Sequence, residues 1–241
     1  MTTSDLADLQ RALGYAFRSP ALLEEALTHS SYLADHPEVG ASNQRLEFLG
    51  DAVLHFVLTE ALFTLFPHDR EGSLTQRRAM LTKGTFLTEM ARSFGLERHL
   101  RLSASEESTG GRTRGAALED AWEALIGAVY LDSDLATVRA RILAWWGDLT
   151  ARIDSTETSE NPKGRLQEKV QPIHGNSALR YEVTAIIGED HARIYEVAVY
   201  LHQQLIGRGS GSSKKIAEAE AAREALVTLD STRMLEGHAS S

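Results

Sequence analysis

The chain has 241 residues, 42% of them hydrophobic, no cysteine and a net charge of −9. That length and composition fit one or two globular domains, and the absence of Cys excludes disulfides and fits a reducing cytoplasm. No apolar run is charge-free enough to read as a membrane span, and the Met1–Asp5 segment lacks the basic-then-apolar pattern of a signal peptide.

Residues 5–35 read as helical. Leu6, Leu9, Leu13 and Phe17 keep helical spacing, and Ser19-Pro20 opens a second helix carrying Leu22, Leu23, Ala26 and Leu27. Thr28-His29-Ser30-Ser31-Tyr32 ends it, with His29 read as a structural hydrogen-bonding residue rather than a catalytic base. Pro37 and Gly40 mark residues 35–42 as a loop. The strongest stretch follows, Asn43-Gln-Arg-Leu-Glu-Phe-Leu-Gly-Asp-Ala52, which opens an apolar run to Phe66. Leu46, Leu49, Val53, Val57 and Ala61 have the period of a buried helix, and Leu54, Leu58, Leu62 and Leu65 fill a second face. The expectation is a helix covered on most sides. Glu47 and Asp51 lie inside it, four residues apart and therefore on one face. Two like charges there repel, and burial makes them costlier. His55, one turn beyond Asp51, reads as a core or rim histidine.

Residues 67–72 read as a loop, with Ser73 or Thr75 capping the next helix. Arg77, Arg78 and Lys83 on that helix suit either phosphate contact or a solvated face. Thr85–Gly95 is amphipathic, and Ser103–Gly115 reads as a flexible approach. Ala116–Leu131 is apolar except for Glu119, Asp120 and Glu123. Asp120 pairs with Glu123 by three residues and Glu119 pairs with it by four, so periodicity leaves both pairings open. Ala124, Gly127 and Ala128 are small enough for another helix to approach closely. Asp134 caps a further helix through Val138, Ile142 and Trp145-Trp146.

Residues 1–150 are therefore expected to be all-helical, with 151–160, rich in Ser, Thr and acids, as a linker. Beyond it the pattern changes. Asn161-Pro162 starts a helix with Leu166 and Val170. Arg180–Ile187 alternates, with Tyr181, Val183, Ala185 and Ile187 on one face. Arg193–Leu201 alternates again with Tyr195, Val197, Val199 and Leu201 inward, and a short strand spans Gln203–Gly209. A last helix, Lys214–Leu229, carries Ala217, Ala221 and Ala225, and residues 230–241 read as a flexible tail. The order is α-β-β-β-α.

Packing the two acidic helices would bring several carboxylates to one place. That pattern favours a divalent-metal site over two ordinary solvated faces, and all-oxygen ligation suits magnesium (Mg2+) or manganese (Mn2+). Without Cys or paired His, zinc does not fit.

Asn43–Ala52 resembles the signature of the ribonuclease III family, and Ala116–Leu131 resembles that family's other acidic motif. The resemblance implies an all-α endonuclease domain that hydrolyses phosphodiesters of duplex RNA with magnesium. By position, Glu47, Asp120 and Glu123 match the metal ligands, and Asp51 matches the acid that orients the metal-bound water; Asp51 and Glu123 are the catalytic pair. The match selects Asp120 over Glu119. Glu71 matches a further acid near the cleavage valley, and Phe48 matches the residue inserted into the partner subunit of a homodimer. The family has Glu where this chain has Gln44, which removes a charge there.

The second half resembles a double-stranded RNA-binding domain, on its element order, Leu166-Gln167-Glu168 and Ser213-Lys214-Lys215. By match, Gln167 and Glu168 meet one minor groove and His191 the next, while Ser213, Lys214 and Lys215 take the phosphates between. The charge distribution accommodates this: residues 1–150 carry 14 Lys and Arg against 21 Asp and Glu, whereas 161–229 carry 9 against 8. RNA affinity must then come from local basic clusters. The resemblance further implies 5′-phosphate and 3′-hydroxyl ends with a short 3′ overhang. Its implied substrates are precursors of ribosomal RNA and other structured transcripts, and no organic cofactor or membrane is implied. The rival is a non-cleaving duplex-RNA-binding protein whose helical domain only dimerises; the presence of all four acids weighs against it. A di-iron oxidase would need Glu-x-x-His pairs, which are absent.

Overall fold

The computed structural model describes residues 3–175, 177–189 and 193–237. Its contacts divide the chain into two units, 1–149 and 150–241.

The first unit is helical throughout: α1 (Thr3–Leu13), α2 (Pro20–Ala26), α3 (Tyr32–Asp35), α4 (Gln44–Leu65), α5 (Glu71–Leu81), α6 (Gly84–Ser93), α7 (Ala104–Ser108), α8 (Gly115–Asp132) and α9 (Leu135–Trp146). At its centre α4 packs on α8. Val53, Leu54, Val57, Leu58 and Leu62 are buried on α4, and Leu118, Ala121, Trp122, Leu125, Ile126 and Val129 on α8. Glycine lets the two backbones touch. A Cβ on Gly50 would come 1.8 Å from the Glu123 carbonyl oxygen, and one on Gly127 would come 2.3 Å from that of Leu46. Around this crossing Trp122, Trp145, Trp146 and Phe94 form an aromatic cluster, with Phe94 stacked on Trp122 at 5.1 Å. Trp145 and Trp146 donate their indole N–H groups to the Leu13 and Leu81 carbonyls, whereas the indole N–H of the buried Trp122 has no hydrogen-bond partner. At the end of α8 the buried Asp132 accepts from Tyr15 Oη and from the backbone N–H groups of Arg18 and Ser19, at 2.7–2.8 Å. Burial opposes its charge, but these bonds prevail and hold its carboxyl below the usual range.

Several expectations are corrected. By length and composition alone α4 is apolar enough to cross a membrane, though six of its leucines and valines are buried within the unit. Nor is it covered on most sides: Phe48 is 81% exposed, Phe63 71% and Phe56 54%. These three recur every two turns and form one open stripe. α5 starts at Glu71, so Ser73 and Thr75 lie inside it and do not cap it. Residues 103–115 are pinned, not loose. Ser103 Oγ caps α7, and Arg112 binds Glu107 and the carbonyls of Glu97 and Leu100.

Where a linker is expected, the chain forms α10 (Leu149–Glu160), with Leu149 and Ile153 buried. The second unit then has α11 (Pro162–His174), β1 (Leu179–Ile187), β2 (Ile194–Leu201), β3 (Gln204–Gly211) and α12 (Lys214–Gly237). The strands form an antiparallel sheet in the order β1-β2-β3. Asn161 caps α11 through a bond from the Gly164 N–H, with Pro162 at the first turn. Leu166, Val170, Val197, Val199, Ile206, Ala217, Ala221 and Ala225 make the core. The predicted inward face of β1 breaks at a bulge between Val183 and Ala185. Beyond it Ile186 and Ile187 are exposed, as is Val183 beside it. β3 continues two residues past its predicted end, and α12 runs eight past Leu229; residues 238–241 of the predicted tail lie outside the described residues. Gly207 and Gly209 face α12 so closely that a Cβ would come 2.2–2.3 Å from the Ala221 backbone. On the outer edge of β3 the Arg208 N–H donates to the Glu224 carboxylate of α12, at 2.5 Å.

Gly50→Ala should force α4 and α8 apart and destabilise the protein by about 1–3 kcal/mol or more. Thermal unfolding checks this, and a melting temperature equal to wild type would show that the crossing tolerates a methyl.

Candidate functional site

Glu47 and Asp51 flank Gly50 on α4, three residues before it and one after. Gly50 rests on the backbone of Glu123. The tightest point of the helix crossing is therefore also where the acids of α4 meet those of α8. Their mutual influence is visible in their proton affinities. Burial first, then Asp51, Glu119, Glu47 and Asp120, push the Glu123 carboxyl up to about 8. Glu47 is raised by burial and by Asp120, Asp51 and Glu119. Asp120 is raised by burial, with His29 partly opposing, and Glu119 by burial and Asp120. The fold holds these carboxylates near one another against both desolvation and repulsion. They do not converge to ligand spacing as they stand: among the described residues no three Asp, Glu or His are gathered closely enough to hold an ion. The donor set nonetheless fits a hard divalent cation, since it is all carboxylate oxygen with excess negative charge.

The side chains around the acids have definite tasks. The Ser31 N–H donates to His29 Nδ1, with Ser31 Oγ 2.9 Å from the same atom, as expected of a structural histidine. His55 Nε2 stands 3.3 Å from Asp51 Oδ1 at the rim. The sequence reading sets Glu119 aside, yet the structure places it within the repelling group. Its carboxylate lies over Gly84, where a Cβ would come 2.4 Å from it, at the electropositive first turn of α6. Spacing alone allows this position but cannot select it. Glu71 sits exposed in the first turn of α5, accepting from Thr75 Oγ1 at 3.0 Å, and is not among the charges that shift Glu47. Arg77 is held by Asp69 at 2.8 Å and lies over the Phe66 ring, while Arg78 donates to Thr59.

Phe48 projects beside an open hollow of about 620 Å³ whose walls include Leu22, Leu46, Leu49 and Leu131. Gln44 lies on the rim of that hollow and accepts from Ser42 Oγ at 3.4 Å.

In the second unit Ser213 Oγ accepts from the Ile216 N–H at 3.3 Å, capping α12, whose first turn presents Lys214 and Lys215 to solvent. Gln167 and Glu168 are on α11, with Glu168 3.8 Å from Arg165. His191 lies outside the described residues.

Comparison with known proteins gives two family matches: a ribonuclease-III-like model over residues 19–146 and a double-stranded RNA binding motif over 162–229. The chain is 46% identical over 230 residues to Ribonuclease 3 of Pseudomonas putida strain GB-1, covering 94% of this chain and 96% of that one. It is 45% identical over 231 residues to Ribonuclease 3 of Pseudomonas aeruginosa strain LESB58, with the same coverage. Two solved structures of the nuclease domain of ribonuclease III from Campylobacter jejuni also resemble it. One matches with a TM-score of 0.55 at 37% identity, covering 58% of this chain and 94% of that one, and concerns flexibility in the region involved in dimer formation. The other, at 2.2 Å resolution, matches with a TM-score of 0.53 at 34% identity, covering 67% and 98%.

Because Glu123 holds its proton more tightly folded than unfolded, its protonated form favours folding below the ordinary carboxyl range. That contribution is lost as pH rises towards about 8. In EDTA, Glu123→Gln should therefore melt above wild type at pH 8, and the gap should close towards pH 5. A gap that is constant with pH would mean that Glu123 is not held against its neighbours' charge.

Proposed function

The chain belongs to the ribonuclease III family, and from that premise we propose that its acidic centre cuts duplex RNA with a divalent metal. The protein is a double-strand-specific endoribonuclease. Residues 1–150 form its nuclease domain and 161–229 its RNA-binding domain. Glu47, Asp120 and Glu123 hold magnesium, with manganese as a substitute. When bound, the ion supplies positive charge for these acids and for the departing 3′ oxygen, and a more acidic water. Asp51, the exposed member of the group, orients the attacking water. The observation that carries this reading is the set of raised carboxyls at the α4–α8 crossing. A fold that keeps such acids together without a cation works against itself. Glu71 is an accessory acid at most, given its distance in role from the coupled set. The products are 5′-phosphate and 3′-hydroxyl ends.

The second unit binds double-stranded RNA. In this reading Gln167, Glu168 and His191 reach 2′-hydroxyls across two minor grooves, and Ser213, Lys214 and Lys215 clamp the intervening phosphates. The α12 cap and the two solvent-facing lysines support the clamp.

The enzyme works as a homodimer in which each subunit serves one strand. An exposed phenylalanine beside an apolar hollow suits a two-fold, self-complementary contact in which each Phe48 enters the other subunit. Its physiological substrates are precursors of ribosomal RNA and other structured transcripts, which places its work in the cytoplasm.

Glu123→Gln should abolish magnesium-dependent cleavage of a labelled RNA hairpin while leaving hairpin binding intact; a variant that still cuts would remove Glu123 from the centre. Phe48→Asp should shift the protein from dimer to monomer in sedimentation velocity, and a dimer that persists would take Phe48 out of the contact.

A further inference from the structure

α11 and α12 pack together, and lysines near the starts of both converge on one acid. Glu218 Oε2 stands 2.5 Å from Lys163 Nζ on α11. Its Oε1 stands 3.9 Å from Lys214 Nζ, one turn back on α12. The Glu218 side chain is only 14% exposed, whereas Lys163 and Lys214 keep 41% and 63% of theirs in solvent. On the far side Lys163 lies over the Tyr181 ring of β1, 4.6 Å from its centroid. Burial, then the Glu218 charge, push the Tyr181 hydroxyl up to about 12, and that hydroxyl has no hydrogen-bond partner. Glu218 is thus a fixed carboxylate wedged between three elements, and its two cations point outward.

Its position is unfavourable for a polyanion. A phosphate arriving at Lys214 enters the field of Glu218 and competes with it for the same ammonium group. Lys163, held by the same carboxylate beside an aromatic ring, lies within the same patch. We propose that Lys163 is a third cation of the duplex-RNA clamp and that Glu218 is an internal competitor of the RNA phosphates, holding Lys163 and Lys214 back and so limiting affinity. This rests on the assignment of Lys214 and Lys215 as phosphate contacts. The gain of a deliberately weakened clamp lies in release: a nuclease that leaves its product must break every phosphate contact it made.

The test is duplex-RNA binding by the full-length protein in calcium, across a range of salt. Glu218→Gln keeps the shape and removes the competing charge. It should tighten binding about three- to tenfold near 0.15 M salt and steepen the log–log salt slope by about one. Lys163→Gln should weaken binding and flatten the slope by a similar amount, and the double variant should return close to wild type. Unchanged binding in Glu218→Gln, or weaker binding with an unchanged melting temperature, would overturn the competitor role. Should that variant fail to fold, Lys163→Gln still decides: an unaltered slope would refute Lys163 as a clamp residue. Lys214→Ala with Lys215→Ala, measured alongside, separates the two failures. If that pair leaves the salt slope unchanged, the clamp assignment falls and this inference with it. If the pair flattens the slope while Glu218→Gln does nothing, the inference alone is lost.

Discussion

The contact of two glycines with the facing helix sets the geometry of the nuclease unit. Gly50 and Gly127 let α4 and α8 approach until a side chain on either would strike backbone. At such a separation acids on the adjoining turns cannot avoid one another. The aromatic cluster behind the crossing, with Trp122, Trp145 and Trp146 in contact, buries enough apolar surface to keep the helices there despite the repulsion. Packing therefore creates an electrostatic problem that the proposed cation would relieve.

The same opposition recurs on a smaller scale in the second unit. Helix N-termini and lysines gather positive potential at one surface, and Glu218 sits inside it. In the first unit excess negative charge calls for a cation from outside. In the second, positive charge is partly neutralised from within. On the proposed reading each unit meets its ligand through the charge it leaves uncompensated, which the net charge of the whole chain does not reveal.

Much of this could be read from the sequence, because the signals were local. Helical spacing placed Glu47 and Asp51 on one face, alternation marked β2, and Asn161-Pro162 announced a helix start. What stayed hidden depended on contacts between distant segments. The position of Glu119 over Gly84 needs α6 to lie beside α8. The open stripe of Phe48, Phe56 and Phe63 was invisible because periodicity reports that a face is apolar, not what covers it. α10 is not legible because residues 151–160 are as polar as a linker, and Leu149 and Ile153, the buried apolar residues among those described, are too few to set a period. The inward face of β1 ends early: the register shifts after Val183, and Val183, Ile186 and Ile187 are all exposed, which alternation alone cannot foresee.

The Glu224 carboxylate on the outer edge of β3 has a consequence for solubility. An exposed edge strand offers unpaired amides to any extended chain that drifts past, which is how sheets grow from one molecule into the next. Here the Arg208 amide already has an acceptor supplied by the protein's own last helix. That amide is withheld from a foreign strand in the native state, which handicaps β3 as a starting edge for intermolecular sheet growth.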